Sequence, residues 1–508
     1  MHRIEEAKKR LIANVSSNIL LVFVNSVIAI WLTPYLIRNL GIEVYGIIPL
    51  TLSFTIFFAV FSNAIANAVN RFVMIHLGKG EIEQGQIYFN SSLKMLIMLC
   101  GILFVPSAVI AVFFPKLFDV PLGFESDARW LVVYVTISFF ITALTSPFIV
   151  STFIRNRFDL ANGSRIVCQF LRVAVLVLLF KYISPSLKNF GLSYCSMSLF
   201  VLICFIMLTK WLTPELKVQL KHSSWMAMRE MGQMSSWITV NQAGIFLYLG
   251  TGLIIVNIFL GAEQGGRYAP IAQWVTLLGV LAGAISNVFT PIVYEYIAQD
   301  KIEVLVVQIR RSVKYMGLIL GFPIGILCGL AVPILTIWLG SDFSDLGSLA
   351  FLLVGPLVVN SSIRPVVSIF RGLNKVKVPA IVTLGIGFAN LLLSILLVRY
   401  TGLGIYGVGW SLLICFTGKN LFFDPIYAAQ IIDQPKGVFI KEIVPGLLIM
   451  VILSLCGLGL AWKYDLVSIG GLLTASAVIF AVYALLCHSI LFSKEDRSFL
   501  RMLLLRKI

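Results

Sequence analysis

Residues 12–33 read IANVSSNILLVFVNSVIAIWLT, a run of 22 residues without one charged side chain. A helix of about 20 apolar residues is long enough to cross a lipid bilayer. Similar runs recur along the 508 residues, which are 59% hydrophobic and only 12% charged, with a mean hydropathy of +0.96. Because a soluble domain typically has about 25% charged residues, the composition predicts an all-α polytopic membrane protein and excludes a large water-soluble domain.

Fourteen membrane spans are predicted where apolar runs alternate with charged clusters. They lie at about 12–33, 46–69, 91–113, 130–152, 166–183, 191–211, 237–259, 269–292, 313–339, 348–370, 379–398, 405–423, 443–462 and 467–492. If the N-terminus is cytoplasmic, 30 of the 39 Lys and Arg residues fall on the cytoplasmic side. The positive-inside rule therefore predicts a multi-pass membrane protein with both termini cytoplasmic. The net charge of +16 then reflects topology, and no nucleic-acid partner is expected.

An internal repeat with an offset near 220 residues relates spans 1–6 to spans 7–12. Leu40-Gly41-Ile42-Glu43 matches Leu260-Gly261-Ala262-Glu263. Further matches near this offset are Ile82-Glu83 with Ile302-Glu303, Pro147 with Pro365, and Lys181-Tyr182 with Arg399-Tyr400. Since six spans is an even number, the two halves have the same orientation, and a parallel pseudo-two-fold axis along the membrane normal is expected.

Four domains follow from the repeat. Residues 1–211 form an N-terminal six-helix bundle, and 237–430 form a C-terminal one. Residues 212–236 form a cytoplasmic connector whose Trp and Met residues among Lys and Arg predict an amphipathic helix on the membrane surface. Residues 431–508 add two helices and a basic cytoplasmic tail, which we interpret as an anionic-lipid contact. A cleft between the two bundles is the expected site of transport.

Span 9 combines a glycine stripe with proline. Gly317, Gly321, Gly325 and Gly329 recur every four residues, which favours close helix packing. Pro323 interrupts the same span and is a candidate hinge.

The residues needed for catalysis are absent from the sequence. None of the four His residues has a partner at metal-ligand spacing, the eight Cys residues fall in apolar stretches, and no phosphate-binding glycine loop is present. The longest predicted outer loop, 114–129, carries Asp119, Glu125 and Asp127, which we interpret as a solvated edge. We therefore predict no enzyme activity, no catalytic residue, no cofactor and no metal.

Acidic side chains are missing from all fourteen predicted spans. Glu295 and Asp424 come nearest, and both are expected to face water at helix ends. Exporters that couple cations to transport usually need a buried carboxylate, so this absence disfavours a cation-coupled multidrug exporter.

Basic and amide side chains do enter the predicted spans. Arg172 lies inside span 5, where it must face protein or a wet cavity, or snorkel toward the cytoplasmic surface. Polar side chains also share faces of spans 1, 2 and 10, where interhelical hydrogen bonding is the alternative to a cavity lining. The candidates for cavity lining are Arg71, Arg172, Arg364, Asn18, Asn25, Asn63, Asn67 and Asn360. Arginine binds phosphate and amides can replace the water around sugar hydroxyls, so this lining suits a sugar joined to a lipid through phosphate.

The stretch from Leu32-Thr33-Pro34-Tyr35 to Arg38-Asn39-Leu40-Gly41, followed by Glu43-x-Tyr45-Gly46, resembles the N-terminal signature of Wzx-type O-antigen and polysaccharide flippases. These proteins belong to the multidrug/oligosaccharidyl-lipid/polysaccharide exporter superfamily. The resemblance implies a flippase that moves undecaprenyl-diphosphate-linked oligosaccharide from the cytoplasmic to the outer leaflet by alternating access. It implies a cationic cavity, and the matching candidates are Arg71, Arg172 and Arg364. Arg38, within the signature, is a candidate for the outer gate.

The implied partners are the lipid-linked oligosaccharide, membrane lipids, and a polysaccharide polymerase with its chain-length machinery. A lipid II-type flippase, a cation-coupled multidrug exporter and, more distantly, a membrane-embedded sugar polymerase or transferase stay open as alternatives. An inside-negative membrane potential favours outward movement of an anion, and we hypothesise that it drives the diphosphate head group outward.

Overall fold

The computed structural model describes residues 2–464 and 466–488, and over these ranges the chain forms helices and no β-strand. The predicted all-α polytopic class is confirmed. Twelve helical stretches among the described residues are long and apolar enough to cross a membrane. One of them, Ser236–Ala298, contains predicted spans 7 and 8. Predicted span 12 is not among the twelve because its helix is broken into short pieces.

The chain divides into two compact units, one up to Gly266 and one from Arg267 onward. The helices of the first unit are α1 (His2–Leu40), α2 (Ile42–Gly78), α3 (Ile82–Leu117), α4 (Glu125–Thr145), α5 (Val150–Ile154), α6 (Phe158–Tyr182), α7 (Leu187–Leu212), α8 (Trp225–Leu249) and the first turns of α9 (Gly252–Ala298). The predicted domain boundaries follow the sequence repeat and stay a prediction. The predicted basic tail lies outside the described residues.

The second unit contains the rest of α9 and ten further helices. They are α10 (Ile302–Gly329), α11 (Ala331–Leu339), α12 (Gly347–Val354), α13 (Leu357–Ser362), α14 (Arg364–Gly372), α15 (Lys377–Tyr400), α16 (Tyr406–Leu412), α17 (Asp424–Ile431), α18 (Val444–Lys463) and α19 (Ile469–Leu486). Two π-helical turns, Leu413–Thr417 and Lys419–Phe423, join α16 to α17. These turns break predicted span 12, whereas α12, α13 and α14 together form span 10.

Left-handed turns recur at the repeat offset. Gly41 ends α1 with φ 84°, and Gly261, 220 residues later, breaks α9 with φ 90°. Asn156 and Asn374, 218 residues apart, have φ 51° and 55°. Each lies two residues after the end of a short helix, α5 and α14 respectively. Glycine and asparagine are the residues that most readily adopt this conformation. The same chain reversals therefore occur at matching places in both halves of the sequence.

The glycine stripe of α10 packs against α18. A Cβ atom placed on Gly317 would lie 3.1 Å from the Gly446 Cα, and one on Gly329 would lie 2.6 Å from the Ser454 carbonyl oxygen. Small residues allow two membrane helices to approach this closely. The packing interpretation of the stripe is therefore confirmed, and it attaches α18 to α10 within the second unit. α10 continues through Pro323, and the hinge stays a prediction.

Candidate functional site

Four of the predicted amides lie exposed on α1 and α2 in the first unit. They are Asn18, Asn25, Asn63 and Asn67. No side-chain hydrogen bond joins any of these amides to another described residue. An amide left unpaired in hydrocarbon costs about 1–3 kcal/mol on protein-based scales. Such a face is therefore stable in a membrane only where it meets water or a polar ligand.

Arg71 extends this exposed face of α2. It lies one helical turn after Asn67 and is also exposed, with its guanidinium Nη1 3.7 Å from the Met234 Sδ atom of α8. Between them, the Asn70 Oδ1 atom is buried and accepts no hydrogen bond from a described residue. Between residue 13 and the end of α2, the only acidic side chain in the described part of these two helices is Glu43, at the start of α2. The exposed face therefore combines a cation with amides and is free of carboxylates along its length.

Arg172 has a different environment from these residues. Only 8% of it is exposed, and its guanidinium carbon lies 4.8 Å from the ring centre of Tyr194 and 5.4 Å from that of Phe190, both on α7. Its Nε atom is buried and has no acceptor among the described residues. The side chain is thus held by cation–π contacts between α6 and α7, and no described carboxylate neutralises it. No described contact joins it to the exposed amide face.

Arg364 and Asn360 are engaged in contacts of the second unit. Arg364 Nη1 donates to the Gly279 carbonyl oxygen at 2.9 Å, which connects α14 to α9. Asn360 is buried, donates to Thr417 Oγ1 at 3.2 Å and accepts from Asn420 Nδ2 at 3.0 Å. These contacts correspond to the interhelical hydrogen bonding that was the alternative interpretation for this span.

A buried ion pair in the second unit was not anticipated from the sequence. Asp424 is 1% exposed, and Lys419 Nζ donates to its two carboxylate oxygens at 2.7 and 3.0 Å. The expectation that Asp424 faces water at a helix end is therefore wrong. On a regular α-helix, residues five apart point in different directions, but the π turn 419–423 places them together. The sequence did not predict this pair, because two residues five positions apart do not share a face of a regular α-helix.

Arg38 and Asp119 lie at helix ends of the first unit. Arg38 is exposed in the last turn of α1. Asp119 follows α3, and its carboxylate accepts the backbone N–H of Ala262 at 2.8 Å, while its own backbone N–H and C=O bond to the Asn257 side chain. Asp119 therefore caps the helical segment that begins after Gly261, a role beyond the solvated edge expected for it.

The repeat extends to the exposed amide face. Ala64-Ile65 and Asn67 match Ala284-Ile285 and Asn287 at an offset of 220, and Asn287 is exposed like Asn67. The repeat in the sequence could therefore have identified Asn287 as the counterpart of Asn67, so that one exposed amide recurs in each half.

Comparisons with known proteins agree with this architecture. The family model described as "Polysaccharide biosynthesis protein" matches residues 11–297. The chain is 30% identical over 484 residues to the "Uncharacterized membrane protein EpsK" of Bacillus subtilis (strain 168), covering 95% of this chain and 96% of that protein.

Two solved structures are similar in fold. The lipid II flippase MurJ, in an inward closed conformation, superposes with a TM-score of 0.59 at 14% identity, covering 95% of this chain and 99% of MurJ. A multidrug resistance MATE family transporter of the MOP superfamily, the exporter superfamily named above, superposes with a TM-score of 0.58 at 13% identity over 88% of this chain and 97% of its own. The predicted resemblance to a polysaccharide family is confirmed by the family match, the fold is similar to those of these two proteins, and the chain belongs to the polysaccharide biosynthesis protein family.

Proposed function

We propose that this transporter moves an oligosaccharide linked to undecaprenyl diphosphate from the cytoplasmic to the outer leaflet of the cell inner membrane by alternating access. The observation that carries the proposal is the exposure of four amides, two on α1 and two on α2, together with Arg71 on α2, in a member of the polysaccharide biosynthesis family. A sugar head group needs many hydrogen-bonding groups in place of water. A diphosphate needs at least one cation, which Arg71 supplies.

Each predicted residue has a role in this proposal. Asn18, Asn25, Asn63 and Asn67 exchange water for sugar hydroxyls, and Arg71 forms charge-assisted hydrogen bonds with the diphosphate. Arg172 is a buried cation without a described carboxylate partner, so it adds positive potential to the first unit. Arg364 and Asn360 support the second unit through their contacts with α9 and with the π-helical turns. Arg38 remains the outer-gate candidate.

The charge balance favours an anionic substrate over a cationic drug. A cation-coupled exporter requires an accessible buried carboxylate, and Asp424 is the buried carboxylate that this alternative needs. Lys419 already neutralises it through two hydrogen bonds. An anionic head group also gains about 2.3 kcal/mol per charge from each 100 mV of inside-negative potential when it moves outward. We infer that this potential drives transport of the diphosphate.

Lipid II is the second candidate substrate, because the fold resembles that of a lipid II flippase. Both substrates have a lipid, a diphosphate and a sugar, so the α1–α2 face suits both. The polysaccharide family match favours the oligosaccharide. The proposed orientation, with both termini cytoplasmic, places the substrate's entry on the side where it is synthesised. A polysaccharide polymerase and its chain-length machinery would then act on the product.

The test uses purified full-length protein in liposomes that contain a fluorescent undecaprenyl-diphosphate oligosaccharide. An outside reagent that quenches only exposed label measures movement between leaflets, and lipid II is assayed in parallel. The proposal predicts protein-dependent movement that accelerates when the imposed potential drives anions toward the quencher. Movement no faster than in protein-free liposomes would overturn the proposed function. If lipid II moved faster than the oligosaccharide lipid, lipid II would be the substrate instead.

The site is tested with Arg71→Ala and Arg172→Ala. A lost hydrogen bond to a charged group costs about 1.5–3 kcal/mol, so Arg71→Ala is expected to slow transport by about ten-fold to a hundred-fold. Arg129→Ala is the matched control, because Arg129 is exposed at the start of α4 and away from this face. Surface glycan fully restored by both site variants, in cells that lack the native protein, would refute the site assignment.

A further inference from the structure

The segment between α7 and α8 is firmly docked on the first unit. Asn90 of α3 is fully buried, donates to the Lys217 carbonyl oxygen at 3.0 Å and accepts the Gln219 N–H at 2.7 Å. Ser91, also fully buried, accepts the Ser224 N–H at 2.9 Å. Buried hydrogen bonds of this kind fix the backbone path of the segment. Residues 213–224 are therefore a structured surface of the protein.

The first turns of α8 divide into an inner and an outer face. Ala227, Met228 and Met231 are buried, and Ala227 and Met231 belong to a core shared with α2, α3 and α7. Trp225 is 74% exposed and Met226 is 71% exposed. Of the Trp and Met residues expected to meet the membrane, Met228 and Met231 are thus buried, whereas Trp225 and Met226 are exposed. Trp211, Val218 and Leu220 are further exposed apolar side chains in the same stretch.

The outward side also carries uncompensated positive charge. Lys210, Lys217, Lys221 and Arg229 are exposed, and none forms an ion pair with a described residue. The two acidic side chains of the stretch are already engaged, because Glu215 pairs with Arg155 at 3.3 Å and Glu230 accepts a short hydrogen bond from the Tyr88 hydroxyl. None of the four cations forms an ion pair with either of these carboxylates.

We propose that this patch, comprising Trp211, Val218, Leu220, Trp225 and Met226 with the four cations, binds the head groups of anionic phospholipids at the membrane surface. The patch begins at the end of α7, whose candidate membrane span ends at Leu212, so we expect its backbone at the level of the head groups. Tryptophan is enriched at this level of a bilayer, and each Lys or Arg near an anionic surface contributes to attraction. The docked backbone fixes the positions from which these exposed apolar and basic side chains project. The patch thus anchors the start of α8 to the membrane.

The first experiment measures lipid binding with the full-length protein in nanodiscs of equimolar phosphatidylglycerol and phosphatidylcholine. The variant Lys217→Gln/Lys221→Gln/Arg229→Gln is compared with Lys301→Gln/Lys375→Gln/Lys436→Gln, which removes the same charge from three exposed lysines elsewhere. Retention of phosphatidylglycerol after extraction is read by native mass spectrometry. We expect the patch variant to lose affinity about five-fold for each cation and the control to change little. Equal retention by the two variants would overturn the proposal.

The second experiment needs no charge-changing variant and decides the matter if the triple variant fails to fold. Tryptophan fluorescence of the unmodified chain and of Trp225→Phe is recorded with brominated phosphatidylglycerol or brominated phosphatidylcholine. The emission that Trp225 contributes is expected to be quenched more strongly by the anionic brominated lipid. Equal quenching by both lipids, or none, would overturn the proposal. Neither readout requires transport, so this proposal and the proposed function can fail separately.

Discussion

The buried pair Lys419–Asp424 offers a sharp test of the structure of the second unit. Replacing Lys419 with methionine keeps a similar volume but leaves the Asp424 carboxylate, 1% exposed, without the ammonium that donates to both of its oxygens. No other described side chain donates to this carboxylate. Removing one partner of a buried ion pair typically costs about 3–5 kcal/mol, because an uncompensated charge stays buried. We expect a loss of this size in the free energy of unfolding.

A double-mutant cycle separates the ion pair from simple loss of packing. Asp424→Leu alone strands the Lys419 ammonium, whereas Lys419→Met/Asp424→Leu removes both charges and is expected to be near neutral or slightly stabilising. The coupling energy between the two sites should therefore reach about 3 kcal/mol or more. Lys441→Met, at an exposed lysine of the same unit, is the control and should change stability by less than about 0.5 kcal/mol.

The free energies are measured by reversible detergent-denaturation titration of the purified full-length protein. The reasoning is refuted if Lys419→Met costs less than about 1 kcal/mol, since a buried carboxylate cannot lose its only described donor so cheaply. Additive effects of the two single variants would also refute it, because they would mean that the charges do not interact.

Two further predictions concern glycines, the first at a close helix–helix approach and the second at positive φ. A Cβ on Gly446 would lie 2.5 Å from the Gly317 Cα, so Gly446→Ala should destabilise the second unit by about 1–3 kcal/mol. Gly459→Ala on the same helix meets nothing within 4 Å and should be neutral or stabilise by up to about 1 kcal/mol in the same titration. Gly261→Ala and Gly41→Ala each place a side chain at positive φ, at about 1–2 kcal/mol. Only the former also brings a Cβ within 2.9 Å of the Asp119 Oδ2 atom, so it should cost about 0.5–2 kcal/mol more by disturbing the cap; equal losses would contradict that role.

Hydropathy predicted the helices of this fold because burial in lipid depends on the apolar run itself. For span 12 the same reasoning predicted the helical stretch but not the directions of its side chains, because two π turns bring Lys419 beside Asp424. The seventh span was predicted to start at residue 237, and the apolar stretch does start at Ser236, but the helix that contains it extends further toward the N-terminus. The helix begins at Trp225, because Met231 and its neighbours pack into a core. The charged residues between them in the sequence interrupt the apolar run, so hydropathy did not predict this packing. Tertiary packing decided these boundaries, and the hydropathy of a short stretch of sequence does not predict such packing.

The candidate site residues differ in how far the sequence alone could predict their environment. Helical spacing alone placed Asn67 on a polar face of its helix, but it did not decide between exposure and interhelical hydrogen bonding, since Asn67 is exposed whereas Asn360 is buried and paired. Arg172 could not be assigned, because snorkelling and burial have the same sequence pattern, and only the rings of Phe190 and Tyr194 distinguish them. Arg71 and Arg172 of the first unit have no described carboxylate partner, whereas the buried carboxylate of Asp424 in the second unit is paired with the Lys419 ammonium. A chain with this charge distribution gains nothing from binding a second cation at Asp424, but an anion that approaches Arg71 meets no acidic group in the exposed face of α2. That asymmetry is the physical reason to expect an anionic head group as the cargo.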